Sequence, residues 1–501
     1  MISTTKRPSL IPLSLVGAFA FFAILWVLDF PKPWIDDLFY CGAALNLAGG
    51  GDFSNPLLAR QEFPSHFYFV HPPFYTYALS GWFKIFGISA ASATGFQIVL
   101  YLVIAAATIA ILRRHKAPGW LEWVVPLGVS AALLPEGLRY EALSVALTMA
   151  GFALIECGFT GGVSVFAAFL LMFLGGATAP RMTVFSAVFV LLAAYRLWRL
   201  RQGSAAAGWR RWSFCIPVAA ALVVVCAAFL WLIDFRVGEF WTTFHYHMKG
   251  ATARSGGGKL KLIVFYLHQY KHNQWPLLLL PAGLLAFALR KPKDELATIG
   301  LVIAAAFPVV TLIGGLGRGA LWYIVLMAFV LTASLVRRMP RFGAAAISAA
   351  LCIVLLASSK DDLFEAVGLA IGKIKTDQGE QRAAALALNP TSGKTIVVDS
   401  VAARYLYDYR LPPGSINFEF ASRFPDWLVI DSPLRNGDIY MVGHNGAEIL
   451  RKETLLEGSR PITRWMLFGS QRWSADEYPC HVYMISAQEC KGLRTAGSRL
   501  Q

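Results

Sequence analysis

The sequence predicts a polytopic, all-α membrane protein of about eleven transmembrane helices, followed by a carboxyl-terminal soluble α/β domain. Three observations predict it. Apolar residues make up 56% of the chain and charged residues 15%, where a soluble domain is nearer a quarter charged. The apolar excess arrives in repeated runs of roughly 16 to 22 residues, each long enough to cross or nearly cross a ~30 Å hydrocarbon core. After Lys360 the composition turns polar, mixed in charge and broken by Gly and Pro. The formal net charge of +15 does not point to nucleic acid, because the basic residues sit in short clusters between apolar runs. That is the positive-inside pattern of a membrane protein.

Lys6 and Arg7 precede an apolar run over 10–30. The run is too long for a signal-peptide h-region and no A-x-A site follows, so it reads as the first transmembrane helix, with its amino end cytoplasmic. The clusters Arg113-Arg114-His115-Lys116, Arg196 to Arg211, Arg290 to Lys293 and Arg337-Arg338 with Arg341 belong in the cytoplasm by the same rule. The stretch after the first helix is then external, and an odd number of crossings must separate it from Arg113. Of the two apolar segments between them, 73–88 reads as an interfacial or re-entrant helix and 91–112 as the second span. Spans follow at 121–136, 139–158, 162–179, 182–200 and 213–233. An external loop covers 234–273. Spans at 275–290, 296–315, 319–336 and 342–358 then place the carboxyl terminus outside, in the periplasm of a bacterial inner-membrane protein. No internal repeat of the transporter kind is visible.

The chain so divides into a membrane module, 1–360, with external loops at 31–90 and 234–273, and an external domain, 361–501. In the latter, 395–399, 427–431 and 481–485 read as strands and 402–409 as helical. Its two cysteines, Cys480 and Cys490, are candidates for a disulfide on the oxidising side of the membrane, a pairing that spacing alone does not decide. Cys157, Cys215, Cys226 and Cys352 lie in or beside apolar runs and read as small core residues. No Cys/His spacing of a metal site occurs.

The first external loop carries the chemistry. It opens on adjacent carboxylates, Asp36 and Asp37, just beyond a span, where ionisable groups mark function by default. If a helix starts here, consecutive residues point about 100° apart. One acid then faces a cavity and the other the protein or solvent, and Asp36 shares a face with Tyr40. The competing reading is helix capping. Further on, His71-Pro72-Pro73 opens a helix: the residue before proline is extended and proline suits the first helical turn. His71 is thereby held near a helix amino terminus, a natural anion site.

The order D-D-x-x-Y (Asp36 to Tyr40), A-x-x-L, G-D-F and H-P-P-x-Y resembles the first external loop of the GT-C glycosyltransferases, nearest the branch of protein O-mannosyltransferases and lipid A aminoarabinose transferases. Those enzymes typically have D-E-x-x-Y, so Asp37 stands where many have Glu. Arg139-Tyr140-Glu141 resembles the family's external R-P-D element, and Ala177 to Arg181 its T-K-G-P element in altered order. The stretch from Phe244-His245-Tyr246-His247 to Gln274-Trp275-Pro276 resembles its long mobile external loop, and Gly317-Arg318 with Tyr323 its K-x-x-R-Y element.

The resemblance implies a GT-C-like transferase that takes a sugar from a polyprenyl-phosphate carrier and passes it, with inversion, to a glycan (lipopolysaccharide included), a lipid or a protein at the periplasmic face. Asp36 would be the general base with Asp37 beside it. His71, Arg139, Arg181 and Arg318 would hold the donor phosphate, and Tyr40, Glu141, His245 and His247 the substrates. The second loop bears Arg236, Lys249, Arg254, Lys259, Lys261 and Lys271 against Asp234 and Glu239. Positive charge outside asks for a reason, either capture of a lipid-linked phosphate or attraction to anionic headgroups. No cofactor is required; a divalent metal is not demanded, although two acids are able to hold one. The Gly314–Gly319 run reads as a turn, not a nucleotide site. The alternatives are a transporter or flippase of lipid-linked sugars, which calls for ionisable groups at mid-membrane depth, and a non-enzymatic envelope scaffold.

Overall fold

In the computed structural model of the chain the described residues are 13–28, 35–55, 64–133, 138–202 and 213–253, position 367, and nine short strands between 396 and 486. Ten helices fall among them: α1 (Leu13–Val27), α2 (Ile35–Ala48), α3 (Pro73–Phe86), α4 (Ala90–Arg114), α5 (Trp120–Leu133), α6 (Tyr140–Glu156), α7 (Gly162–Thr178), α8 (Pro180–Gln202), α9 (Cys215–Leu232) and α10 (Val237–Ala253). Within α4, α8 and α9, the segments Ala91–Arg114, Met182–Leu200 and Cys215–Leu232 are long and apolar enough to cross a membrane, and α1 and α7 are shorter apolar helices. The chain is a polytopic helical membrane protein.

The centre of the bundle is α6. Nearly all its residues are buried, as expected of a helix apolar all round. It packs between α4, α7 and α8. Small residues permit close approach to α7: a Cβ on Gly151 would meet the Ala168 carbonyl, and one on Gly175 would meet the Thr148 hydroxyl. Ser144 donates to the Gly175 carbonyl, and the Thr148 and Ser186 hydroxyls share a hydrogen bond of 2.8 Å linking α6 to α8. Small and hydroxylic residues hold helices together where lipid removes the usual hydrophobic drive. By contrast α9, packed on α7, exposes most of its surface.

Two buried carboxylates pin one end of the bundle. Ser14 Oγ and Arg113 Nε both donate to Glu122 Oε2, at 2.6 and 2.9 Å, joining α1, α4 and α5. His115 Nε2 lies 3.0 Å from Glu156 Oε2. Arg196 Nε lies 2.9 Å from Glu156 Oε1, close enough for an ion pair though not aligned as a hydrogen bond. Two of the basic clusters that the sequence reading places in the cytoplasm so meet at one end. Glu156→Ala is expected to cost about 3–5 kcal/mol, since it strands buried positive charge; a detergent-solubilised variant melting with the parent would contradict this.

The helices match the sequence reading closely from 73 to 233. The 234–273 loop differs: it begins with α10, whose aromatic and His-rich composition is not an apolar run. A helix likewise covers the first loop from Ile35. The expected spans at 275–358 lie outside the described residues.

The strands are β1 (Ile396–Val398), β2 (Ile416–Phe418), β3 (Ala421–Phe424), β4 (Trp427–Ile430), β5 (Ile439–Gly443), β6 (Leu456–Glu457), β7 (Thr463–Met466), β8 (Gly469–Arg472) and β9 (His481–Ser486). Five form a mixed sheet in the order β2-β1-β5-β9-β6, with β1 parallel to β2 and β5 and with β9 antiparallel to β5 and β6. β3–β4 and β7–β8 are separate antiparallel pairs. The three strands expected from sequence are β1, β4 and β9. The expected helix at 402–409 and Cys480 and Cys490 lie outside the described residues.

Candidate active site

Chain geometry brings the first loop back to the amino end of α6. α2 stops at three glycines. Gly50 has φ +88°, and Gly50 N and Gly51 N donate to the Leu47 and Asn46 carbonyls at 3.2 and 2.8 Å, a Schellman end that needs the left-handed residue. The chain then turns back on itself. Asn46 Nδ2 donates to the Asp52 carbonyl (3.0 Å), and Tyr68 N to the Phe53 carbonyl (2.7 Å). Pro72, at φ −58° and ψ 144°, caps α3, with Pro73 in its first turn. His71 is therefore held in the loop immediately before that helix.

At this point an aromatic cluster forms. The His71 ring lies 4.8 Å from Tyr140, 5.0 Å from Tyr40, 6.0 Å from Tyr68 and 5.3 Å from His247, by ring centroids. Tyr40 also meets Tyr140 (5.0 Å) and Tyr75 (6.1 Å). Arg139 Nη1 donates to the Tyr40 hydroxyl at 3.3 Å, and its guanidinium sits 5.7 Å from the same ring. Arg139 has extended backbone at the amino end of α6. Glu141, 3% exposed, lies in the first turn of α6. Its Oε2 makes no hydrogen bond among the described residues. An orphaned buried carboxylate oxygen asks for a donor.

Four of the expected site residues thus converge from α2, the loop before α3, the start of α6 and α10: Tyr40, His71, Arg139 and His247. Glu141 lies two residues on from Arg139 in the first turn of α6. His245 does not join them; it is exposed and stacks on Trp241 at 6.1 Å. Asp36 and Asp37 fall in the first turn of α2 and Arg181 in that of α8, with side chains outside the described residues. Arg318 lies outside them altogether. Tyr75 and Tyr140 stand inside the H-P-P-x-Y and Arg139-Tyr140-Glu141 motifs but were given no role there, and Tyr68 lies in no motif, since a tyrosine in an aromatic-rich chain carries no local signal.

A second polar group borders the loop. Asp52 accepts from Ser54 Oγ and lies 2.8 Å from His66 Nε2. The Ser54 hydroxyl, with lesser help from His66 and against partial desolvation, holds the Asp52 carboxyl below its ordinary value of 3.8. A depressed carboxylate contributes stability that is present above the unfolded value and lost as pH falls through the folded one. The melting difference between the parent and Asp52→Asn should therefore be constant above about pH 4 and shrink below it; a difference that grows on acidification would contradict this. Beyond Asp52, Ser65 donates to Glu239, and Arg236 lies over the Phe67 ring at 4.5 Å, tying the loop to α10.

Among the described residues no group of three or more His, Cys, Asp or Glu is arranged to hold a metal ion. The arrangement offers a cation and two imidazoles among tilted and edge-to-face tyrosine rings, which suits a sugar carrying an anionic group.

No family model matches the chain, and no curated protein matches it. Among solved structures the chain is similar to the crystal structure of ArnT from Cupriavidus metallidurans bound to undecaprenyl phosphate, at 12% identity and a TM-score of 0.51, over 95% of this chain and 98% of that one. The two share a fold. It is the fold that the first-loop motifs implied.

Proposed function

We propose that this chain is a membrane glycosyltransferase that moves a sugar from a polyprenyl-phosphate-linked donor to an envelope glycan, lipid or protein at the periplasmic face. The observation that carries the reading is the convergence of Tyr40, His71 and Arg139, from three separate stretches, at one end of α6. The fold shared with a protein that binds undecaprenyl phosphate supports it.

On this reading Asp36 accepts the proton of the acceptor hydroxyl or amine as that atom attacks the anomeric carbon, while the bond from that carbon to the phosphate oxygen breaks. Position 36 lies one turn before Tyr40, on the face that meets the cluster, whereas position 37 lies one turn before Cys41, which is fully buried. A carboxylate is a weak base, so positioning and stabilisation of the departing phosphate supply most of the rate. Arg139 and His71, with Arg181 and Arg318, take that anion; Glu141 and His247 hold sugar or acceptor hydroxyls.

Replacing Arg139 by Ala should raise the donor KM about ten- to hundredfold, the worth of a charge-assisted hydrogen bond; an unchanged KM would remove Arg139 from the site. The broader test is mass spectrometry of envelope glycans from cells with and without the protein. Loss of one sugar substituent is expected, and identical glycans would overturn the proposal. A flippase would need charge at mid-membrane depth, whereas, among the described residues, the ion pairs of Glu122 and Glu156 gather at the end of the bundle opposite the cluster.

A further inference from the structure

Two imidazoles meet in the cluster. His71 and His247 are both half-buried, with ring centroids 5.3 Å apart and planes inclined at 74°. Around His71 stand Tyr40 from α2, Tyr68 from the first loop and Tyr140 from α6. Arg139 donates to the Tyr40 hydroxyl, and Tyr75 from α3 stands against the Tyr40 ring. Asp36 lies one turn before Tyr40 on α2. Of the described carboxylates on the loop and α10, Asp52 is engaged by Ser54 and His66, and Asp234 and Glu239 by Arg236. Glu141, in the first turn of α6, is the described acid that remains at this end of that helix.

An imidazole is the side chain that changes charge near neutral pH. Two of them close together, near a guanidinium, resist carrying charge at once, and an anion placed among them favours it. On the glycosyl-transfer reading the anion in this site gains charge during the reaction. The donor is a phosphodiester with a single negative charge, which Arg139 by itself matches. The bond from the anomeric carbon to the phosphate oxygen breaks with its electron pair going to that oxygen. The product is a monoester, whose second pKa is about 6 and whose charge at neutral pH approaches about −2. That added charge calls for a second positive one beside Arg139.

We propose that the His71–His247 pair takes up one proton as the carrier phosphate passes from diester to monoester, so that the product is held with that proton and leaves without it. The protons balance. The acceptor gives one to Asp36 as its oxygen or nitrogen bonds the anomeric carbon, and solvent relays one from Asp36 to the pair. When the monoester departs, the pair returns the proton to water. The order of these events rests on the glycosyl-transfer reading; the pair as a proton-linked anion site does not.

Titration calorimetry on the full chain in lipid nanodiscs, at about pH 8 in two buffers of different ionisation enthalpy, counts the protons. A polyprenyl monophosphate should bind with uptake of about one proton, and its methyl diester with none. The Kd of the monophosphate should rise several-fold from about pH 8 to about pH 9, while that of the diester stays flat. In the double variant His71→Gln/His247→Gln the uptake should fall by more than about half, and the pH dependence of Kd should go with it. No uptake by the parent, equal uptake with both ligands, or the parent's full uptake in the double variant would overturn the proposal. The first of these in a parent that transfers sugar would leave the glycosyl-transfer reading intact. Proton uptake in a parent that transfers no sugar would instead overturn that reading and leave the pair as an anion site.

Discussion

Asp36→Asn is expected to lower sugar transfer about 10²- to 10⁴-fold, the usual contribution of a positioned general base. The substitution keeps the size of the side chain and removes only its capacity to take a proton. It also separates catalysis from helix capping. Asn stabilises a helix amino end about as well as Asp, so a residue that merely caps α2 would be replaced without loss of activity or stability. The expected result is therefore an asymmetric one: turnover falls while the melting midpoint of the purified protein stays put. Asp37→Asn should retain more activity than Asp36→Asn, because position 37 follows the turn of Cys41 and not that of Tyr40. Turnover near that of the parent in the Asp36 variant, at equal membrane abundance, would refute the base assignment.

The second large effect is on folding. Gly175→Leu should abolish accumulation of monodisperse protein. A Cβ there would stand 2.7 Å from the Ser144 backbone carbonyl, besides meeting the Thr148 hydroxyl. A side-chain end can swing away, but a carbonyl inside α6 cannot without breaking the helix. The same approach recurs one turn along, where a Cβ on Gly151 would lie 2.8 Å from Met172 Cγ and against the Ala168 carbonyl. Overpacking a tight core costs about 1–3 kcal/mol and often more, and here the displaced helix is the one that carries Arg139, Tyr140 and Glu141. Gly81→Leu is the control, since a Cβ at Gly81 meets nothing within 4 Å. Equal yields and equal size-exclusion profiles for the two variants would show that α6 and α7 have room to part.

How much of the site was legible depended on whether its residues carry a local signal. His71 was legible because the two prolines that follow it, Pro72 and Pro73, restrict its backbone and start the next helix. Arg139 and Glu141 were marked out by their place in an external element, but not the reason they matter: Arg139 reaches Tyr40 across 99 positions of sequence, and no window that short of the chain length contains both. α10 was illegible as an element. Its periodicity is carried by Trp, Phe, His and Tyr, which a search for long apolar runs passes over, and its packed face is defined only by Phe229, Phe69 and His71, set against it from α9 and the first loop. Glu156 was illegible for the same reason, since its partners His115 and Arg196 come from other helices.

The sequence by itself determined that the chain crosses a membrane repeatedly and where most of the helices from 73 to 233 lie. Those properties depend on the solvent each segment must meet, and hydrophobicity and charge report that residue by residue. Only the tertiary structure decided which tyrosines surround His71, that His247 and not His245 turns toward it, and that α6 runs between a paired-charge end and an aromatic end. Such choices depend on distances between segments remote in the chain, and a contact of that kind exists only after the helices have packed.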